Sequence, residues 1–387
     1  MKPESSFNDS DRLHMSRALE LAARGLHTTD PNPRVGCVIV HGERTVGEGW
    51  HEWAGEPHAE IRALRAAGSD AAGATAYVTL EPCNHQGRTP PCSQALIDAG
   101  LRRVVFAMQD PNPRVDGRGA ERLRQAGIEV ASGLLQEEAA ELNLGFLRRI
   151  RGGLPWVRLK LAMSLDGRTA LASGASQWIT SEPARLDVQQ WRARSSAVLT
   201  GIGTVLADDP RLDVRLPGER LRQPMRVVLD GSLRTPPRAR LFEGTGSVWI
   251  FTRVMDGARR AALEGRGARI EHLEGNEGTQ RGDASSGRFR LEQVLARLAQ
   301  AEVNEVLVEA GATLAGELLR LNLVDELLLY VAPVLLGHRA RPLVALPEPA
   351  SLASGMRFDL IESRSIGPDL RLRLRPAAAA TGETALK

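Results

Sequence analysis

Apolar residues Leu13, Ala18, Leu21 and Ala22 recur at near-helical spacing behind Asp9 and Ser10, either of which can cap a helix that Gly25 stops. Pro31-Asn32-Pro33 then breaks the chain before the β-branched run Val35-Gly36-Cys37-Val38-Ile39-Val40, which predicts a buried strand. A turn at Gly42 leads to a second strand over residues 45–49, and helix formers dominate 58–67. The pattern then predicts a strand at 76–80, a short helix at 94–99 and a strand at 103–107. A helix near 120–126, a strand at 128–130 and a helix over 136–149 complete this half. Strands alternating with helices predict an α/β sandwich with a mainly parallel sheet.

Residues 148–155 (RRIRGGLP) are basic, glycine-rich and end in proline, as a linker does. Beyond them, strands are expected at 156–161, 226–230, 248–251, 305–309 and 326–331, with helices at 183–194, 291–300 and 315–320. This is a second α/β domain. The organisation expected is therefore a first domain over 1–150, a second over 154–375 and a disordered tail over 376–387. The polar, glycine-rich stretch 274–288 has the composition of a mobile loop. No internal repeat is read along the chain.

At 387 residues the length suits two domains at about 150 residues each. Fifty basic residues against 47 acidic ones leave a net charge of +3, and the two signs alternate in most stretches. No electrostatic footprint for a nucleic acid stands out. Three cysteines, an odd count, fit a reducing compartment better than a disulfide framework. The polar start, residues 1–11, lacks the pattern of a signal peptide, and the most apolar late run, 327–337, is too short for a membrane span. A cytoplasmic enzyme without membrane or nucleic-acid partners is expected, and a homo-oligomer is left open.

Two short segments carry the strongest chemistry: Pro57-His58-Ala59-Glu60, and Glu81-Pro82-Cys83 followed by Pro90-Pro91-Cys92. One imidazole and two thiolates supply three ligands and leave the fourth position of zinc for water, as in catalytic sites. Zinc lowers the pKa of that water from about 16 to about 7, and Glu60 stands two residues beyond the histidine to shuttle its proton to a leaving nitrogen. Zinc nucleobase deaminases use H-x-E followed by P-C-x-x-C, whereas here eight residues separate Cys83 and Cys92. A closed structural site would want a fourth ligand, for which His85 and Cys37 are the candidates; Cys37, flanked by Val35, Gly36, Val38 and Ile39, reads better as strand core. In the second half Gly201-Ile202-Gly203 begins a G-x-G-x-x-G, but Leu206 occupies its last position, so a Rossmann fingerprint is absent. The turn from Glu309 through Gly311 to Gly316 is the better candidate for a pyrophosphate cradle.

Residues 28–37, 55–60, 79–83 and 87–92, and then 165–168, 176–180, 206–210 and 308–311, closely resemble the bifunctional deaminase/reductase family of riboflavin biosynthesis. The resemblance covers residues 11–375 or so, and the extended spacing of Cys83 and Cys92 belongs to its pattern; Asn84 departs from it, where the family usually has serine. It implies a cytidine-deaminase-like three-layer sandwich followed by a dihydrofolate-reductase-like domain, with zinc and NADPH as cofactors. The implied substrate is a pyrimidine ribosyl phosphate, deaminated first and then reduced in its sugar. Residue by residue, it implies zinc at His58, Cys83 and Cys92, with Glu60 as the proton shuttle. It assigns Ala162, Trp178, Thr204, Asp208, Gly311, Ala312, Thr313, Leu314, Ala315, Gly316 and Glu317 to the nicotinamide nucleotide. Ser176, Arg192, Leu212, Arg215 and Glu309 fall to the sugar-phosphate substrate, where Arg192 and Arg215, with Arg211 as a helper, offer guanidinium forks to a phosphate. Further expectations are Asn32 and His85 at the pyrimidine, Lys160 at the reacting carbonyl or imine, and Arg253 at the 2′-phosphate of NADPH, against the plainer reading of a solvated arginine. The rival reading is a nucleic-acid base deaminase with a binding module as its second half; a zinc-stapled scaffold without activity is a third.

Overall fold

The computed structural model describes residues 7–84, 91–113, 115–217, 221–274 and 289–377. The chain divides into two compact units, Met1–Leu154 and Pro155–Lys387. No helix among the described residues is long and apolar enough to cross a membrane.

In the first unit the elements run α1 (Asp9–Ala23), β1 (Gly36–His41), β2 (Arg44–Trp50), α2 (Ala59–Ala67), β3 (Thr75–Val78), α3 (Cys92–Asp98), β4 (Arg103–Phe106), α4 (Arg118–Gln125), β5 (Glu129–Ser132), α5 (Gln136–Leu142) and α6 (Leu144–Gly152). The sheet order is β2-β1-β3-β4-β5. Its pairing is mixed: β1 runs antiparallel to both neighbours, while β3, β4 and β5 are parallel. The tight turn at Gly42 reverses the chain between β1 and β2, whereas helices make the crossovers that parallel pairs require. Alternation along the strands builds three layers. Val38, Val40, Tyr77 and Val105 pack on α1, α5 and α6 through Met15, Leu21, Ala139 and Phe146. Cys37, Ile39, Ala76, Val78 and Phe106 pack on α2, α3 and α4 through Ala59, Ala63, Leu96 and Leu123.

Local chemistry moves three boundaries from their expected places. Asn8, not Asp9 or Ser10, caps α1, because its side chain accepts the Asp11 amide at 2.7 Å while the Asp11 carboxylate accepts the Asn8 amide at 3.3 Å. The helix expected over 136–149 breaks at Asn143, whose carboxamide turns to the Arg34 backbone, accepting its N–H at 2.8 Å and donating to its C=O at 3.0 Å. The basic stretch expected as a linker is instead the end of α6, closed by Gly153 in the left-handed region.

The second unit contains β6 (Trp156–Ser164), β7 (Arg168–Ala170), α7 (Glu182–Arg194), β8 (Ala197–Gly201), α8 (Ile202–Asp208), β9 (Met225–Leu229), β10 (Val248–Thr252), α9 (Gly257–Glu264) and β11 (Ala268–His272). It continues with α10 (Leu291–Gln300), β12 (Glu305–Glu309), α11 (Ala312–Arg320), β13 (Glu326–Ala332), β14 (Arg341–Pro342), β15 (Phe358–Ile366) and β16 (Asp369–Pro376). Nine strands form one sheet in the order β11-β10-β9-β8-β12-β6-β13-β16-β15, and β14 pairs with β7 separately. The sheet is parallel from β11 to β13 and antiparallel across β16 and β15. Strand β8, not anticipated above, lies in its interior between β9 and β12. Pro376 still pairs with Phe358, so the strand enters the stretch expected as tail; residues 378–387 and the loop residues 275–288 lie outside the described residues.

A buried ion network ties this sheet together. Arg158, fully buried, donates to Glu305 at 2.9 Å and Glu326 at 2.8 Å, and stacks on Trp191 with its guanidinium carbon 4.6 Å from the ring centroid. Arg194 shares Glu305 and Arg373 shares Glu326. Burial acts to raise the Glu326 carboxyl, but the Arg158 charge and the Arg373 hydrogen bond outweigh it and hold the group down to about 2. Its stabilising contribution is therefore present above the ordinary carboxylate value of about 4.5 and is lost as pH falls toward 2. Glu326→Gln is expected to destabilise this unit by about 3 kcal/mol at pH 7 and to flatten that acid dependence, as read by urea unfolding across pH.

Candidate functional site

The first site forms where α2 meets the sheet. A Cβ on Gly47 would lie 2.2 Å from the Ala63 carbonyl oxygen and one on Gly49 2.5 Å from that of Ala59, so only glycine lets the helix seat this closely on β2. The seating delivers His58, the N-cap residue of α2, and Glu60 in its first turn to the edge where β3 leaves the sheet. The chain from β3 leads to Glu81-Pro82-Cys83, and α3 opens on Cys92. Glu81 anchors this exit: its buried carboxylate accepts the amides of Gly117 at 3.0 Å, Ala120 at 3.1 Å and Asp110 at 3.4 Å.

His58 Nδ1 lies 3.3 Å from Cys92 Sγ and 3.6 Å from Cys83 Sγ, and all three donor atoms fall within 4.8 Å of one another. Bond lengths of about 2.0 Å to nitrogen and 2.3 Å to sulfur in a tetrahedral zinc site separate N and S donors by about 3.5 Å, so spacing and donor chemistry both fit zinc. The Cys92 hydrogen bond and the neighbouring His58 pull the Cys83 thiol down against its burial, and Cys83 in turn raises His58 to about 9. Burial pushes the Glu60 carboxyl above its ordinary range. Cys37 lies in the apolar layer beneath, outside the cluster. Asn84 accepts a hydrogen bond from Ser93 Oγ at 3.0 Å and so braces the loop, while His85 lies outside the described residues.

Asn32 meets a residue the sequence reading passed over. His51 Nδ1 lies 3.3 Å from the Pro57 carbonyl oxygen, and its Nε2 lies 3.0 Å from Asn32 Nδ2. Burial lowers the pKa of His51 to about 4, so the ring is neutral at pH 7: Nδ1–H donates to Pro57 and Nε2 accepts from Asn32. Its ring stands edge-on to His58, centroids 5.5 Å apart. A signal for this region existed in the sequence. The hexapeptide Asp-Pro-Asn-Pro-Arg-Val occurs at 30–35 and again at 110–115, which corrects the reading of no repeat. One copy precedes β1 and the other follows β4, and the strand directions bring both to the edge at which β3 ends.

In the second unit a cavity of about 850 Å³ runs along the C-terminal ends of the parallel strands. Of the residues expected at the cofactor, Ala162, Thr204, Asp208, Gly311, Ala312, Thr313, Leu314 and Glu317 line it, as do Ser176 and Glu309 from the substrate set. Ala315 and Gly316 are buried in α11; a Cβ on Gly316 would lie 2.2 Å from the Ala345 carbonyl oxygen. Trp178 is 68% exposed with Arg185 stacked on it, and Leu212 is buried in the core. Arg192 gives its fork to Glu309, at 2.6 and 2.9 Å, and a further bond to the Asp213 carbonyl. Arg211 and Arg215 both pair with Asp213. Lys160 lines the cavity, its pKa lowered by burial, while Arg192 and Lys160 hold the Glu309 carboxyl down against its own burial.

Residues 8–108 match the family description "Cytidine and deoxycytidylate deaminase zinc-binding region", and residues 155–372 match "RibD C-terminal domain". Fold and sites thus define a zinc-type deaminase domain joined in one chain to a dihydrofolate-reductase-like reductase domain. The chain is 52% identical over 376 residues to the riboflavin biosynthesis protein RibD of Escherichia coli (strain K12), covering 94% of this chain and 99% of that protein. It is 42% identical to RibD of Bacillus amyloliquefaciens, covering 96% and 98%. The solved structure of Acinetobacter baumannii RibD superposes with a TM-score of 0.86 at 46% identity, over 95% of this chain and 99% of that one. A Thermotoga maritima structure described as a diaminohydroxyphosphoribosylaminopyrimidine deaminase/5-amino-6-(5-phosphoribosylamino)uracil reductase superposes at 0.81 and 33% identity, over the same shares. The chain belongs to the RibD family of bifunctional deaminase–reductases of riboflavin biosynthesis. The second half is therefore a reductase domain, and the nucleic-acid reading is set aside.

Gly49→Ala is expected to destabilise the first unit by about 3 kcal/mol, because the added methyl meets helix backbone that cannot yield without moving α2. Urea unfolding measures it.

Proposed function

We propose that the first domain hydrolyses the 2-amino group of 2,5-diamino-6-ribosylamino-4(3H)-pyrimidinone 5′-phosphate, releasing ammonia, and that the second reduces the ribosyl chain with NADPH to give 5-amino-6-ribitylaminouracil 5′-phosphate. The observation that carries the reading is the convergence of one imidazole and two thiol sulfurs, within 4.8 Å, beside a buried carboxylate. His58, Cys83 and Cys92 would hold zinc, which when bound would lower the pKa of a water to about 7. Glu60 accepts a proton and delivers it to the departing nitrogen, a task suited to a carboxyl whose pKa burial has raised. Asn32, oriented by His51, and His85 hold the pyrimidine.

In the reductase domain NADPH supplies the hydride. Ala162, Trp178, Thr204, Asp208 and residues 311–317 hold the nucleotide, with the backbone amides at the start of α11 toward its pyrophosphate. Ser176 and Glu309 form the sugar-phosphate site on the cavity wall; Arg192, paired with Glu309, Arg215, paired with Asp213, and the core residue Leu212 help to shape it. Arg192 serves there mainly by keeping Glu309 ionised and fixed, given its two bonds to that carboxylate. Lys160, beside Glu309 and desolvated, protonates the reacting carbonyl or imine. The enzyme works on small molecules in the cytoplasm.

Incubation with the diaminopyrimidinone phosphate is expected to yield two successive products, the second only with NADPH. Glu60→Gln should lower ammonia release by at least about a hundredfold with zinc still bound, and full release would refute the shuttle role. Lys160→Ala should slow hydride transfer by about a hundredfold at unchanged NADPH affinity; a wild-type rate would remove Lys160 from the chemistry.

A further inference from the structure

We propose that Arg253 reads the 2′-phosphate of the nicotinamide nucleotide and is the residue that makes the reductase domain choose NADPH over NADH. The proposal rests on the nucleotide-binding reading of the second-unit cavity. Arg253 follows β10 and lines that cavity. Its guanidinium lies flat against Gly231, the second residue past the end of β9: a Cβ there would sit 2.9 Å from both Nε and Nη2. The Phe289 ring is its other neighbour, with the guanidinium carbon 5.7 Å from the ring centroid. The absence of a side chain at 231 leaves room for the guanidinium, and any larger residue there would displace it.

Arg253 differs in its partners from the arginines expected at the sugar phosphate. Its Nε is buried without a hydrogen bond, and no carboxylate among the described residues pairs with it. Arg192, Arg211 and Arg215 are all committed to carboxylates. A guanidinium that lines a cavity and has no carboxylate partner among the described residues is suited to a dianionic phosphate monoester. A ribose hydroxyl, as in NADH, gives that charge nothing comparable.

The position along the sheet says which phosphate. From β10 the order runs through β9, β8 and β12 to β6, the strand of Lys160. Four strand spacings amount to about 19 Å, the reach of an extended dinucleotide from nicotinamide to adenosine ribose. Between the two ends lies Gly311, the N-cap residue of α11, where a pyrophosphate would pass. The sugar phosphate of the substrate belongs at the Lys160–Glu309 end, out of Arg253's reach.

Calorimetric titration of the full-length protein with 2′,5′-ADP, 5′-AMP and ribose 5-phosphate, with NADPH and NADH alongside, tests the assignment. Arg253→Ala is expected to weaken 2′,5′-ADP and NADPH roughly ten- to a hundredfold, and to leave 5′-AMP, ribose 5-phosphate and NADH within about twofold. Arg253→Lys, which keeps the charge but loses the fork, should fall between; if the alanine variant does not fold, the lysine variant carries the same comparison. Equal losses for NADPH and NADH, unchanged 2′,5′-ADP binding, or a loss confined to ribose 5-phosphate would each overturn the proposal. If the wild-type protein bound neither dinucleotide, the nucleotide-site reading itself would fail, an outcome separate from the others.

Discussion

Parallel strands joined by crossover helices leave strand C-termini and helix N-termini along one edge of a sheet, and both halves of this protein build their chemistry there. The constraint is geometric. Backbone N–H groups at the helix starts point outward at that edge, and the loops that follow each strand are free to carry polar side chains. In the first unit the edge gathers the N-cap of α2, the chain leaving β3 and the start of α3, which are the three places where His58, Cys83 and Cys92 stand. In the second it gathers Lys160, Gly201, Glu309 and Gly311 around one cavity.

How closely the layers approach decides whether such an edge becomes a site. Helix α2 reaches its place because β2 carries no side chain at Gly47 and Gly49, and the exit from β3 is held because Glu81 takes up three amides of the loop and helix beyond β4. Neither feature touches the donor atoms, yet both set where those atoms lie. Asn32 follows the same logic, since a neutral His51, held through Pro57, fixes which end of its carboxamide is engaged.

The second unit sorts its arginines by what they face. Arg158, Arg194 and Arg373 serve the buried carboxylates Glu305 and Glu326 and bind the sheet together, with Trp191 stacked among them. Arg192 stands at the border, internal in its bonds but placed so that Glu309 presents a fixed negative charge to the cavity. Arg253 lines the cavity beside Gly231 and Phe289, with no carboxylate partner among the described residues. Composition treats these residues alike; only the partner each one meets separates scaffold from site.

Much of this was legible from the chain alone. A continuous β-branched run marked β1, and helical spacing marked α1, because local patterning and burial agree there. The pairing of His58-x-Glu60 with two Pro-Cys steps announced its chemistry, since few other uses require those residue types together. Strand β8 was overlooked because Ala197–Gly201 is short and merges into a glycine turn, although β16 carried a readable alternation of leucine and arginine over 370–375. Tertiary structure alone decided the break at Asn143, which answers to a backbone more than a hundred residues away, and the mixed pairing of the first sheet. It also decided that the fork of Arg192 goes to Glu309 while Arg253 lines the cavity. The sequence determined which chemical groups are present and which local elements carry them; which charge meets which depends on contacts between distant segments, and those exist only once the layers have packed.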